Sequence, residues 1–345
     1  MAKNVYLLVT DLHIGFKKPN RKNYLGEVMN AMSDIMNIAD KYSDCDKLIL
    51  ILLGDVFDNG VTDASEAMQL LEVFRYFCKP FSEVYAVVGN HEITFAKNNP
   101  FWFLTQSIED TNLLNIKRFI QPRGLSDTIN IVDTITDGNV KIYFNHFGIK
   151  AKTPKGQGTH IGLFHQNVGS NEICKMWGTF DDVEEADYIQ SYNYCFFGHM
   201  HLAKGKYFLN KSHTCLGEWL GTIGRTKINE VLDDSLSVNI PALCVTDGEL
   251  VCIEDNFINL GSSSDCINFE ELEISNKNKE LINVKNKIVV SDYNSNDLFE
   301  TLSVSFKGTE FEFLLNFLDQ SWDSILINYR ENLHKIVIME ESNND

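Results

Sequence analysis

Leu48-Ile49-Leu50-Ile51-Leu52-Leu53-Gly54-Asp55-Val56-Phe57-Asp58 is the stretch that decides the fold. Six unbroken apolar residues are too few to cross a bilayer and read as a β-strand. Gly54 then ends the run, and two carboxylates follow at once. The same grammar recurs along the chain. Tyr6 to Val9 precedes Asp11-Leu12-His13, and Val84 to Val88 precedes Gly89-Asn90-His91-Glu92. Ile161 to Phe164 runs into His165, and Tyr194 to Phe197 into Gly198-His199-Met200-His201. Five strands that each end on polar residues are expected to gather them along one sheet edge. Carboxylate and amide oxygens meeting imidazole nitrogens there predict a binuclear metal site.

Between these strands the pattern turns helical. Leu25, Val28, Met29, Met32, Ile35, Met36 and Ala39 recur at helical spacing after Asn23. Thr62-Asp63 followed by Glu66 reads as a helix start, with Pro80 as its stop. From about Asp127 the texture is strand and turn. The fold class expected is α/β: a β-sandwich core flanked by helices over residues 1–260, then a small C-terminal α+β capping domain over 267–345. Gly261-Ser262-Ser263-Ser264-Asp265 is the linker. The cap carries a helix with a wide apolar stripe, Phe311 to Leu333, read as the core of that domain.

Composition narrows the function classes. The 345 residues, 44% hydrophobic, can bury a large core, so the chain is neither a tail nor a peptide. A formal charge of −18 repels polyanions at long range, and any nucleic-acid contact must be local. The eight cysteines form no Cys-x-x-Cys pair and are read as small buried hydrophobes in a reducing compartment. With no secretory signal and no span, a cytoplasmic protein without a membrane partner is expected.

Two divalent cations close together can share one phosphate, which needs a bridging carboxylate. Asp55 is the expected bridge. Asp11, His13 and His201 complete the first cation's set, with each i, i+2 pair taken to lie on one side of an extended segment. Asn90, His165 and His199 complete the second. His91, with no cation left to bind, is expected to face the substrate and donate a proton to the departing oxygen. Asp58 is expected to hold the His91 ring by its other nitrogen. His146 is read as packing.

This ordered set resembles the calcineurin-like metallophosphoesterase superfamily, whose pattern is D-x-H, G-D-x-x-D, G-N-H-[DE], a solitary His and G-H-x-H. The resemblance spans Asp11 to His201. Asn59 stands where the serine/threonine protein phosphatases of that superfamily carry an arginine, which argues against that branch. Gly162-Leu163-Phe164-His165-Gln166-Asn167 is instead similar to the His-Gln-Asn run of the SbcD-like DNA repair exonucleases and their phage recombination-endonuclease relatives. The resemblance implies a metal-dependent DNA exo- or endonuclease subunit acting in recombination, repair or replication. It would work with a coiled-coil ATPase of the SbcC kind, as a possible homodimer, in a host cytoplasm if phage-encoded. The cations implied are manganese, although the same donors accept magnesium, iron or zinc. Lys17, Lys18, Arg21 and Lys22 follow the first ligand pair and are the expected DNA-backbone contacts, with Lys150, Lys152 and Lys155 a second group. The alternative is a phosphodiesterase or phosphatase on small nucleotides or cyclic nucleotides.

Overall fold

The computed structural model of the chain describes residues 3–15, 23–58, 64–94, 99–108, 128–166, 168–169, 181–182, 188–201, 205–208, 214–221, 223 and 237–260. Two compact units divide the chain, Met1–Phe269 and Glu270–Asp345, and every described residue belongs to the first. The expected capping domain, with its Phe311 to Leu333 helix, lies outside the described residues. So do Asn59, Asn167 and the four cations Lys17, Lys18, Arg21 and Lys22.

The elements run β1 (Lys3–Val9), α1 (Tyr24–Asp40), β2 (Lys47–Leu53), α2 (Ala64–Cys78), β3 (Glu83–Val87), α3 (Asn90–Thr94), β4 (Thr105–Ile108), β5 (Ile129–Ile131), β6 (Thr134–Asp137) and β7 (Val140–Asn145). They continue with β8 (Thr159–Phe164), β9 (Val168–Gly169), β10 (Asp181–Asp182), β11 (Tyr194–Phe197), β12 (Gly205–Phe208), β13 (Leu216–Trp219), β14 (Ser237–Asn239), β15 (Ala242–Thr246), β16 (Glu249–Glu254) and β17 (Phe257–Asn259). A seven-stranded sheet has the order β16-β15-β1-β2-β3-β5-β4, and a six-stranded sheet the order β12-β13-β11-β8-β7-β6. Helices pack on the first sheet, and the two sheets share an apolar layer. The architecture is the expected helix-flanked α/β sandwich.

Period-two alternation shows why both faces of the early strands had to be apolar. In β1, Val5, Leu7 and Val9 pack on the helix side, while Tyr6 and Leu8 face the second sheet. In β2, Leu48, Leu50 and Leu52 join the helix layer, and Ile49, Ile51 and Leu53 the layer between sheets. β1, β2 and β3 run parallel in that order, and β7, β8, β11 and β13 run parallel in the second sheet. Asn23 caps α1 by accepting the Gly26 N–H at 3.2 Å, and Val28, Ala31, Met32 and Ile35 are its buried stripe. Among the described residues no helix is long and apolar enough to cross a membrane.

The polar segments do not lie along one sheet edge. Two belong to the second sheet, following β8 and β11, and three to the first, following β1, β2 and β3, so the cluster sits across the ends of both layers. A hydrogen bond sews the layers there: the His199 N–H donates to Asp11 Oδ2 at 3.1 Å.

Candidate metal centre

Three of the five motifs leave their strands through a backbone that few residues tolerate. Asp11, His13, Asp55 and His199 have φ of +50°, +46°, +49° and +71°. Left-handed backbone costs a non-glycine residue on the order of 1 to 2 kcal/mol, and such strain gathers at functional sites. The expectation that Asp11–His13 and His199–His201 are extended pairs is therefore corrected: the chain reverses at these residues and aims the side chains inward. The loops after β1 and β2 are zipped to one another. His13 N–H donates to the Asp55 carbonyl at 2.9 Å, Ile14 to Val56 at 2.8 Å and Asp58 to Ile14 at 3.0 Å. Gly54 has φ of +86°, and a Cβ there would fall inside the His165 ring. Only glycine lets β2 end against that imidazole.

Three overlapping groups result: Asp11, His13, Asp55 and His201; Asp55, His165 and His199; and His13, Asp58 and His91. In the first, His13 Nε2 is 3.6 Å from Asp11 Oδ1 and 3.2 Å from His201 Nε2, and His201 Nε2 is 3.5 Å from Asp11 Oδ1. In the second, Asn90 Oδ1 joins, 3.1 Å from His165 Nε2 and 2.9 Å from His199 Nδ1. Asp55 belongs to both. Its Oδ1 is 3.3 Å from His165 Nε2, and its Oδ2 is 3.9 Å from His13 Nε2. Each carboxylate oxygen thus faces a different group.

The donor set fits two divalent cations. Asp11 Oδ1 is buried without a hydrogen-bond donor, among imidazole nitrogens, as a cation ligand would be. Two of the imidazoles have their far nitrogens committed to oxygens. His13 Nδ1–H reaches Asp58 Oδ1 at 3.1 Å, and His165 Nδ1–H reaches the Leu53 carbonyl at 2.5 Å, which leaves both Nε2 lone pairs facing inward. Without cations the charges settle as ion pairs. Burial works against a charged His13, but the Asp11 and Asp58 carboxylates outweigh it and lift the imidazole to about 10. Burial opposes His165 likewise, and Asp55 lifts it to about 9. Asp55 is itself held well below the carboxylate range against its burial, chiefly by His165. His199 goes the other way, to about 4, through burial and the neighbouring His165 charge. Cation loading at His13 and His165 therefore displaces protons.

His91 stands at the open side. Its side chain is 23% exposed, and its Nε2 is 3.8 Å from Asp55 Oδ2. Its Nδ1 donates to the Asp58 main-chain carbonyl, while the Asp58 carboxylate is 3.5 Å away. The sequence reading assigns the Asp58 side chain to His91. The structure puts that carboxylate closer to His13 and holds His91 mainly through the Asp58 backbone.

Other residues matter here, several of them not singled out from the sequence. Glu92 is fully buried and accepts the N–H groups of Gly89, Asp55, Val56 and Phe57 at 2.9 to 3.4 Å, joining two motif loops through one carboxylate. Burial and the nearby Asp55 charge push it up to about 7. Its place in Gly89-Asn90-His91-Glu92 was the available signal. Asn99 donates to the Phe57 and His91 carbonyls, and Phe147 packs on the His199 ring at 5.4 Å between centroids. Gln166 pins the Phe147 loop by donating to the His146 and Ile149 carbonyls. His146 is core: 1% exposed, accepting the Val88 N–H at its Nδ1.

Residues 5–203 match the family model described as calcineurin-like phosphoesterase. No curated protein matches the sequence. Among solved structures the chain is similar to a 5'-nucleotidase precursor from Thermus thermophilus, at 15% identity and TM-score 0.35, covering 74% of this chain and 54% of that one. It is also similar to a dimetal phosphatase from Danio rerio, at 11% identity and TM-score 0.41, covering 74% and 98%. A third is the sulfate thiohydrolase SoxB from Thermus thermophilus, at 8% identity and TM-score 0.35, covering 75% and 57%. The chain spans about half the length of the nucleotidase it matches.

Proposed function

The chain belongs to the calcineurin-like phosphoesterase family, and on that footing we propose that it hydrolyses phosphodiester bonds of DNA with two divalent cations, manganese by family resemblance. The observation that carries the hydrolytic reading is the split of Asp55, one oxygen toward His13 and the other toward His165. Asp11, His13, His201 and Asp55 would hold the first cation, and Asn90, His165, His199 and Asp55 the second. Bound there, the pair supplies Lewis acidity toward a phosphate oxygen and an activated water at neutral pH.

The chain's own residues do the rest. Because His91 Nδ1–H is committed to the Asp58 carbonyl, its Nε2, 3.8 Å from Asp55 Oδ2, is the nitrogen that would carry a proton beside the cations. That proton goes to the departing oxygen. Asp58 keeps His13 in the tautomer whose Nε2 faces inward, and Glu92 fixes the two loops that carry Asp55 and Asn90.

DNA is favoured as substrate by the His165-Gln166-Asn167 run and by the loop it anchors. Gln166 positions Phe147 beside His199, and Lys150 and Lys155 are exposed on the same stretch. A coiled-coil ATPase partner would supply affinity that a −18 chain lacks. That same acidity favours the second reading, hydrolysis of small nucleotides or cyclic nucleotides, since a small diester meets less long-range repulsion. The deciding experiment digests linear, nicked and circular DNA with added manganese, alongside cyclic nucleotides and aryl phosphodiesters. Linear-duplex cleavage that disappears in His91→Ala, with two cations still bound by metal analysis, supports the nuclease. If manganese-loaded protein with its ATPase partner leaves every DNA intact while turning over small diesters, the second reading replaces it.

A further inference from the structure

The binuclear cluster is not the only place where metal-ligating side chains meet. Cys244 of β15 and Cys252 of β16 are directly paired across the antiparallel ladder, and Glu254 is two residues on from Cys252, on the same face. One ligand atom from each, two sulfurs and a carboxylate oxygen, lie within 4.8 Å of one another. Cys252 Sγ is 3.7 Å from Glu254 Oε1. The carboxylate is aimed by its surroundings: Tyr42 donates to Oε2 at 2.8 Å and is itself held by Asn256 Nδ2 at 3.0 Å, which leaves Oε1 for the sulfurs. Cys244 is buried, Cys252 half-buried and Glu254 exposed, so an ion has a way in.

We propose that Cys244, Cys252 and Glu254 form a separate mononuclear site for a thiophilic divalent cation, of zinc chemistry, that clamps the edge strand β16 to β15. Ligands around a tetrahedral zinc, with Zn–S near 2.3 Å, stand roughly 3.8 Å apart, so the observed cluster needs only a small closure. Two thiolates and one carboxylate select zinc or cadmium over magnesium or calcium, and the exposed side leaves the fourth position to water. Binding is balanced by the loss of two thiol protons to solvent, with no redox change. The site is independent of the catalytic reading. β1 pairs Val5 with Cys244, and Val5 precedes Asp11 by six residues, which puts the two centres on the order of 20 Å apart along the strand. Among the described residues β16 is the last strand of its sheet, with Val251 exposed, and a cation crosslink would restrain it.

The test is a cadmium titration of the reduced, chelator-stripped full chain, read by the ultraviolet thiolate-to-cadmium charge-transfer band and by bound metal. Wild type should take up one equivalent that carries the band, beyond those at the Asp55 centre. Cys252→Ser should lose the band and that equivalent alone. Glu254→Gln, an exposed change that leaves the fold undisturbed, should weaken it at least about tenfold. No band in wild type, a band undiminished in both variants, or a mass two hydrogens light from a Cys244–Cys252 disulfide in the purified protein would each overturn the proposal.

Discussion

Replacing Asp58 by asparagine tests how this centre divides its labour. The carboxylate is 4% exposed and sits 3.1 Å from Nδ1 of a fully buried His13, against 3.5 Å from Nδ1 of His91. A hydrogen bond to a charged acceptor contributes about 1.5 to 3 kcal/mol and a neutral one about 0.5 to 1.5. The charge-removing, shape-keeping change therefore costs His13 about 1 to 1.5 kcal/mol of orientation and basicity. That converts to roughly a tenfold loss in affinity for the first cation. Asp58→Ala, which removes the acceptor altogether, should approach the roughly hundredfold end of the range for such partners. The second cation should be unaffected, because the Leu53 carbonyl holds His165. Calorimetric titration with manganese would resolve the two sites. Proton release on loading the first should also fall, since Asp58 is one of the three carboxylates that lift His13 to about 10. If both affinities stay at wild-type values while only turnover drops, Asp58 serves His91 instead and the reasoning is wrong.

Three further outcomes follow from the geometry. Gly54→Ala forces a Cβ into the His165 ring at a left-handed φ of +86° and should abolish the second cation while sparing the first; two intact equivalents by metal analysis would contradict this. Removing cations should lower stability: at a free concentration about 100 times Kd each contributes about 2.7 kcal/mol, so manganese should raise the Tm of wild type and not of Asp55→Asn, and equal shifts would refute the assignment. Burial drops His146 to about 4 from its ordinary 6.5, so between those values the unfolded chain binds the proton and the folded chain does not. Stability should fall as pH drops through that window, by about 3 kcal/mol at most, and His146→Gln should flatten that part of the urea-midpoint profile; superimposable profiles would rule it out.

How much of this is legible beforehand differs by residue. The strands are, because four to six apolar residues running into glycine and polar side chains have few other uses: Leu48 to Leu53 is expected and Lys47–Leu53 is found, Tyr194 to Phe197 is expected and Tyr194–Phe197 is found. The α1 start at Asn23 is legible from its periodic stripe. The residues of the cluster are legible for a similar reason, each being polar at the end of a strand in a parallel arrangement, where loops meet. Which of them touch is not. Glu92 carries no mark in the sequence that it will take four N–H groups from two loops, and Asp58 none that it will prefer His13, 45 residues away, over His91.

Strand, helix and donor identity were thus written into the sequence by itself, since they follow from periodicity and from chemistry carried within a few residues. The placing of the cluster across two sheet ends, the left-handed reversals at Asp11, His13, Asp55 and His199, and the partner of each ring were decided only by the tertiary structure. The physical reason is that a hydrogen bond or a shared carboxylate depends on ångström-scale distances between loops far apart in the chain. Packing of the two sheets sets those distances, and no local pattern encodes them.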